Sequence, residues 1–85
     1  MTDLNEQFEK AGKDVKELSE KPSNDTLLKL YSLFKQGSVG DVTGKRPGMT
    51  NFKGRAKYDA WKKLQGASQE IAKQDYIDLV VSLKE

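Results

Sequence analysis

Residues 24–51 read NDTLLKLYSLFKQGSVGDVTGKRPGMTN, and how this stretch divides decides the fold. Its first half is one amphipathic helix, about 24–37, in which Leu27, Leu30, Tyr31 and Phe34 recur at helical spacing. Ser23, Asn24 and Asp25 offer N-caps for it. Gly37 and Gly40 then break the pattern. Together with Gly44, Pro47 and Gly48 they make residues 37–51 a loop. A loop of this length is uncommon in a small domain and is usually functional or disordered. The helices on either side of it therefore need not form a tight antiparallel hairpin.

Working outward, a helix over about 3–19 precedes this stretch. Leu4, Phe8, Ala11, Val15 and Leu18 alternate steps of four and three along one face. Asp3 with Glu6 three residues on resembles a capping box, and Pro22 stops the helix. After the loop, a third helix runs over about 52–65 and Gly66 ends it. Ser68 caps a fourth, about 68–84, whose Ala72, Tyr76, Leu79, Val80 and Leu83 share a face. Short connections elsewhere and one long one predict an all-α four-helix bundle that departs from simple up-down-up-down order.

The composition narrows what such a bundle can do. With 85 residues the chain is read as one domain, 1–85, with room for a single core. It contains no Cys and no His, which removes thiol nucleophiles, Cys-ligated zinc, and the commonest general base and metal ligand. Abundant carboxylates remain, but nothing pairs two of them in a pocket, so an enzyme is not expected. No apolar run approaches the roughly 20 residues of a membrane span, and the N-terminus lacks a basic-then-apolar signal segment. The expectation is a soluble, cytoplasmic monomer without stable membrane insertion.

The net charge of +2 is mild, but the charges are unevenly placed. From Lys35 to Lys63 the bases are Lys35, Lys45, Arg46, Lys53, Arg55, Lys57, Lys62 and Lys63, against only Asp41 and Asp59. The middle of the chain is therefore suited to an anionic ligand. On the third helix, Lys53 and Lys57 fall on the same side as Ala60, Leu64 and the sole Trp, Trp61. On the second, Leu28, Tyr31 and Lys35 share one flank. Lysines lying over apolar surface with their heads in water account for both patterns. So does an anion site beside an aromatic-lined groove. A basic nucleic-acid-binding or protein-interaction module is the alternative, supported by Tyr31, Tyr58 and Trp61 within the basic region.

Three blocks carry a resemblance to a known family. They are residues 30–42 (LYSLFKQGSVGDV), residues 45–49 (KRPGM) and residues 52–61 (FKGRAKYDAW), followed by Gly66, Ala72, Tyr76 and Ile77 at matching distances. In this combination the chain resembles the acyl-CoA-binding protein family from Phe8 to Leu83. The resemblance implies a skewed up-down-down-up bundle that binds acyl-CoA thioesters in a surface bowl, needs no cofactor, and catalyses nothing. It implies that the CoA 3′-phosphate and adenine meet Tyr31, Lys35 and Lys57, with Lys53 and Tyr76 nearby and Lys16 close to the head group. Ser32, Leu33 and Phe34 belong to the same block. Phe8, Ala11 and Gly12 match a small-residue surface under the ligand, and Leu27 and Leu28 match acyl-chain contacts. The implied function is a carrier, buffer and pool former for medium- to long-chain acyl-CoA, with no nucleic-acid partner. Three positions depart from common family residues: Phe34 is often Tyr, Gly12 often Ala, and Tyr58 often Trp.

Overall fold

A computed structural model describes residues 3–84; Met1, Thr2 and Glu85, the ends of the expected domain, lie outside the described residues. It contains α1 (Leu4–Asp14), α2 (Asn24–Ser38), α3 (Phe52–Lys62) and α4 (Gln69–Lys84). Each begins on a side chain that accepts a backbone N–H left free in the first turn. Asp3 accepts from Glu6, Ser23 from Thr26, Asn51 from Gly54 and Ser68 from Ile71, at 2.8–3.2 Å.

The ends differ from the expectation in instructive ways. α1 stops at Asp14 and tightens into a 3₁₀ turn over Val15–Glu17, after which Leu18 is extended with ψ 137°. Pro22 has no N–H to continue a helix and disfavours helical geometry at the residue before it, so it marks the latest possible end of the helix, not the actual one. α3 stops at Lys62 instead of 65. The bonds Leu64 N–H to Trp61 and Gln65 N–H to Lys62 span three residues, the tighter winding common at helix ends. The chain then reverses at Gly66, φ +93°. Gly37 does not break α2, which continues through it to Ser38. A Cβ there would lie 3.0 Å from Lys73 Cγ and 3.2 Å from Phe8 Cζ. This residue is glycine because α1 and α4 close onto α2 at that point.

Side-chain contacts fix the topology. Asn5 meets Lys73 and Asp14 meets Lys84, so α1 and α4 run parallel. Lys57 lies over Tyr31 and Lys35 over Trp61, so α2 and α3 run parallel. Gln36 reaches Ala67 while Phe34 meets Tyr76, so α2 and α4 are antiparallel. The order is up-down-down-up. A parallel α2–α3 pair requires residues 39–51 to travel back along a helix, which explains the long loop.

In space α1 packs on α4, α4 on α2 and α2 on α3. The result is a shallow body of 43 × 29 × 15 Å. The core joins Phe8 and Ala11 of α1, Leu30 and Leu33 of α2, and Tyr76, Ile77 and Val80 of α4, flanked by Leu4, Val15, Leu27, Leu64, Leu79 and Leu83. The Phe8 ring stacks on Phe34 with centroids 5.2 Å apart and meets Tyr76 edge-on at 5.2 Å. Such aromatic pairs add about 0.5–1.5 kcal/mol each beyond area burial. No helix among the described residues is long and apolar enough to cross a membrane.

Candidate ligand groove

Because α1 and α2 both lean on α4, a gap stays open between them. It holds a concavity of about 490 Å³. Glu9, Gly12, Lys13, Val15 and Lys16 form one wall, Leu27, Leu30, Tyr31 and Phe34 the other, and Tyr76 of α4 lies beneath. On the far side of α2 a second concavity of about 420 Å³ separates α2 from α3. Lys21, Asn24, Leu27, Leu28, Phe52, Lys53, Ala56 and Lys57 line it. Leu27 borders both, so the two adjoin across the first turns of α2.

The cations stand around this seam. The Lys57 ammonium lies 5.3 Å from the Tyr31 ring centre, and the Lys35 ammonium 5.2 Å from that of Trp61. Each contact is worth about 0.5–1 kcal/mol at an exposed site. Neither lysine, nor Lys16 or Lys53, joins an ion pair among the described residues; the two pairs found there are Arg46–Asp59 and Lys84–Asp14. Tyr76 is buried and its phenol pKa is raised by that burial, so the hydroxyl stays protonated as a donor beneath the concavity.

Most of the expected site converges here. Lys16, Gly12, Leu27, Tyr31, Phe34 and Tyr76 line the first concavity, and Leu27, Leu28, Lys53 and Lys57 the second. Lys35 sits one turn beyond Tyr31, outside both, held over Trp61. Phe8 and Ala11 lie in the core below Gly12. Ser32 and Leu33 are not brought to the groove. Both are buried, Leu33 in the core, and the Ser32 hydroxyl donates back to the Lys29 carbonyl. The departures fit without strain. Phe34 is 40% exposed and completes an aromatic triad with Phe8 and Tyr76. A methyl on Gly12 would make ordinary contact with Phe34 at 3.7 Å. Tyr58 donates its hydroxyl to the Gly44 carbonyl.

Sequence reasoning missed Lys13, which is three residues before Lys16 on the same flank. It also missed Lys21, Phe52 and Ala56, which share a concavity only because α2 and α3 start at the same end of the molecule.

The end of the groove is braced by the loop. Gln36, fully buried, donates from Nε2 to Asp41 and to the Ala67 carbonyl, both at 2.9 Å. Asp41 also accepts the Gly66 N–H, and Trp61 donates its indole N–H to Gly40 at 2.8 Å. Arg46 forks onto Asp59 at 2.9 and 2.7 Å, and Arg55 reaches the Pro47 carbonyl. The basic loop residue Arg46 is thus engaged with the protein itself, whereas the groove lysines have no carboxylate partner within ion-pair distance among the described residues.

Residues 5–80 match the family model described as acyl CoA binding protein. The chain is 49% identical over 80 residues to a Drosophila melanogaster acyl-CoA-binding protein homolog, covering 94% of this chain and 93% of that one. It is 51% identical over 82 residues to a Brassica napus acyl-CoA-binding protein, covering 96% and 89%. The crystal structure of Oryza sativa acyl-CoA-binding protein 2 superposes with a TM-score of 0.89 at 48% identity, covering 94% of this chain and 87% of that one.

Proposed function

The chain belongs to the acyl-CoA-binding protein family, and on that premise we propose that the two adjoining concavities form one bowl for a medium- to long-chain acyl-CoA ester. The chain is an acyl-CoA carrier and not an enzyme. Its service is to hold, buffer and pool a thioester that needs shielding from water and hydrolases. We assign it to the cytoplasm as a monomer, with residues 1–85 as one acyl-CoA-binding domain, no cofactor and no nucleic-acid partner.

The single observation that supports the bowl is its seam. Two largely apolar concavities share Leu27, and the Lys57 ammonium stands over Tyr31 where they meet. An amphiphile with several negative charges and a long alkyl chain needs that combination. In this reading Tyr31 stacks on the adenine, while Lys35 and Lys57 hold the 3′-phosphate. Lys16 and Tyr76 serve the head group over Gly12, and Lys53 joins them from α3. Leu27 and Leu28 cover the acyl chain. Each methylene removed from water contributes about 0.8 kcal/mol, so ten of them contribute roughly 8 kcal/mol. The chain thus supplies most of the affinity and the cations supply selectivity.

Calorimetric titration with palmitoyl-CoA, free CoA and free palmitate tests this. Palmitoyl-CoA should bind far more tightly than either fragment. Equal affinity for palmitate and palmitoyl-CoA would remove the head-group half of the assignment. Equal affinity for CoA and palmitoyl-CoA would remove the acyl half.

A further inference from the structure

Lys13 and Lys16 are three residues apart, so their side chains leave neighbouring turns on one flank of the α1 wall. Both line the concavity across from Tyr31. Both are exposed, and neither joins an ion pair among the described residues. The acids nearby are placed so as to leave them free. Asp14 is drawn to Lys84 of α4 at 3.1 Å, and Glu17 lines a different concavity beside that pair. Among the described residues Glu9, one turn before Lys13, is the one acid of the groove, and it also borders the next concavity, where Lys73 lies. Lys13 is in the last turn of α1, where a cation suits the helix dipole. That preference holds on any face of the helix. It does not account for two unpaired lysines lining one opening.

The opposite wall has a cation of its own, since the Lys57 ammonium stands 5.3 Å from the centre of the Tyr31 ring. A gap with unpaired cations on both sides suits a head group with two separate anionic centres. CoA has two, a 3′-phosphate and a 5′-diphosphate. Resting on the function proposed above, in which Lys35 and Lys57 hold the 3′-phosphate, the diphosphate is left to the α1 wall. We propose that Lys13 is a further ligand-binding residue, which holds the CoA 5′-diphosphate beside Lys16. Exposed ammonium groups are screened by water, so the contact is modest in strength. It acts on selectivity: a thioester carrying the diphosphate gains from Lys13, and one without it gains nothing.

The test is calorimetric titration of wild type, Lys13→Gln and Lys13→Arg with three esters: palmitoyl-CoA, its 3′-dephospho analogue, and palmitoyl-pantetheine, which lacks the diphosphate. Lys13→Gln should bind both nucleotide esters about fivefold more weakly than wild type and palmitoyl-pantetheine equally well. Lys13→Arg keeps the charge and should stay within about twofold of wild type for all three. Added salt should narrow the gap between wild type and Lys13→Gln. A Lys13→Gln protein that binds palmitoyl-CoA like wild type would overturn the proposal. So would a loss that vanishes with the dephospho ester, which would move Lys13 to the 3′-phosphate. A loss that persists with palmitoyl-pantetheine would overturn it too, by making Lys13 a support of the helix. Wild type that binds palmitoyl-CoA beside an unaffected Lys13→Gln removes this contact alone. Wild type that fails to bind palmitoyl-CoA removes the carrier function and this contact with it.

Discussion

Two regions flanking α2 are built on opposite plans. At the C-terminal end of α2, Gln36, Asp41, Gly66, Gly40 and Trp61 join helix, loop and chain reversal through hydrogen bonds of 2.8–2.9 Å. In the gap facing α1, Lys13, Lys16, Tyr31 and Tyr76 surround open space, and no hydrogen bond joins them to one another among the described residues. The first region has its polar groups matched to the protein; the second has its groups aimed outward. Folding stability and ligand affinity are thereby assigned to different residues, although both regions contain an aromatic ring beneath a lysine. Mutations should separate them cleanly.

The largest effect should fall on the braced corner. Trp61 is 7% exposed and its indole N–H is bonded to Gly40. Trp61→Ala should cost about 3–5 kcal/mol of stability, seen as a lowered denaturant midpoint. Tyr31→Ala should show the opposite split. Its half-buried ring faces the groove, so it should lose about 1–3 kcal/mol of acyl-CoA affinity, by analogy with base stacking, with a smaller loss of stability. A stable Trp61 variant unable to bind, beside an unfolded Tyr31 variant, would show that the two roles are exchanged.

Next come the groove cations. Lys35→Ala and Lys57→Ala should each weaken palmitoyl-CoA binding by about 1.5–3 kcal/mol, roughly ten- to a hundredfold, while leaving the thermal midpoint nearly unchanged. Added salt should weaken the wild type more than either variant. If the melting temperature collapsed while affinity per folded molecule held, these lysines would belong with the braced corner. Gln36→Leu should act on stability instead. It strips Asp41 and the Ala67 carbonyl of a donor, at about 1–3 kcal/mol. Among the described residues the Gln36 Oε1 is itself buried without a partner, which places the expected loss toward the lower end of that range.

The contrast also marks what the sequence could show. Helix starts were legible because Asp3, Ser23 and Ser68 act through neighbours three residues away. The bundle was legible because each helix repeats its apolar positions. α2 was harder, since it has three uses. Leu30, Leu33 and Gly37 pack in the interior, Gln36 serves the corner, and Leu27, Tyr31 and Phe34 line the groove. A single stripe of periodicity merges these faces. It gave Phe34 the same standing as Leu30 and left Leu33 off the stripe altogether. Gln36 carried no local signal, because its partners lie in the loop and 31 residues away at Ala67. The tight approach at Gly37 is likewise nonlocal, so a glycine demanded by packing reads as a breaker. Lys21 and Phe52 joined the site only through the parallel pairing of α2 and α3.

The smallest expected effect is a pH dependence confined to the corner and the loop. The Asp41 carboxyl is held below the usual aspartate value of 3.8, first by the Gly66 N–H and then by the Gln36 amide. The Asp59 carboxyl is held down chiefly by its bond to Arg46. A carboxyl whose pKa is lower folded than unfolded stabilises the fold while ionised. Its contribution is complete above about pH 4 and disappears as pH falls through the folded value. Both groups are solvent-exposed, so the loss should be modest. Melting temperatures followed from about pH 6 down to about pH 2 should decline on this limb. Asp41→Asn keeps an oxygen for the Gly66 N–H but cannot titrate, so it should start slightly lower near neutrality and decline less steeply. Salt should flatten the share due to the exposed Arg46–Asp59 pair more than the share due to the hydrogen bonds at Asp41. An Asp41→Asn protein that melts as steeply with acid as the wild type would show that Asp41 does not supply the acid-sensitive part of the brace.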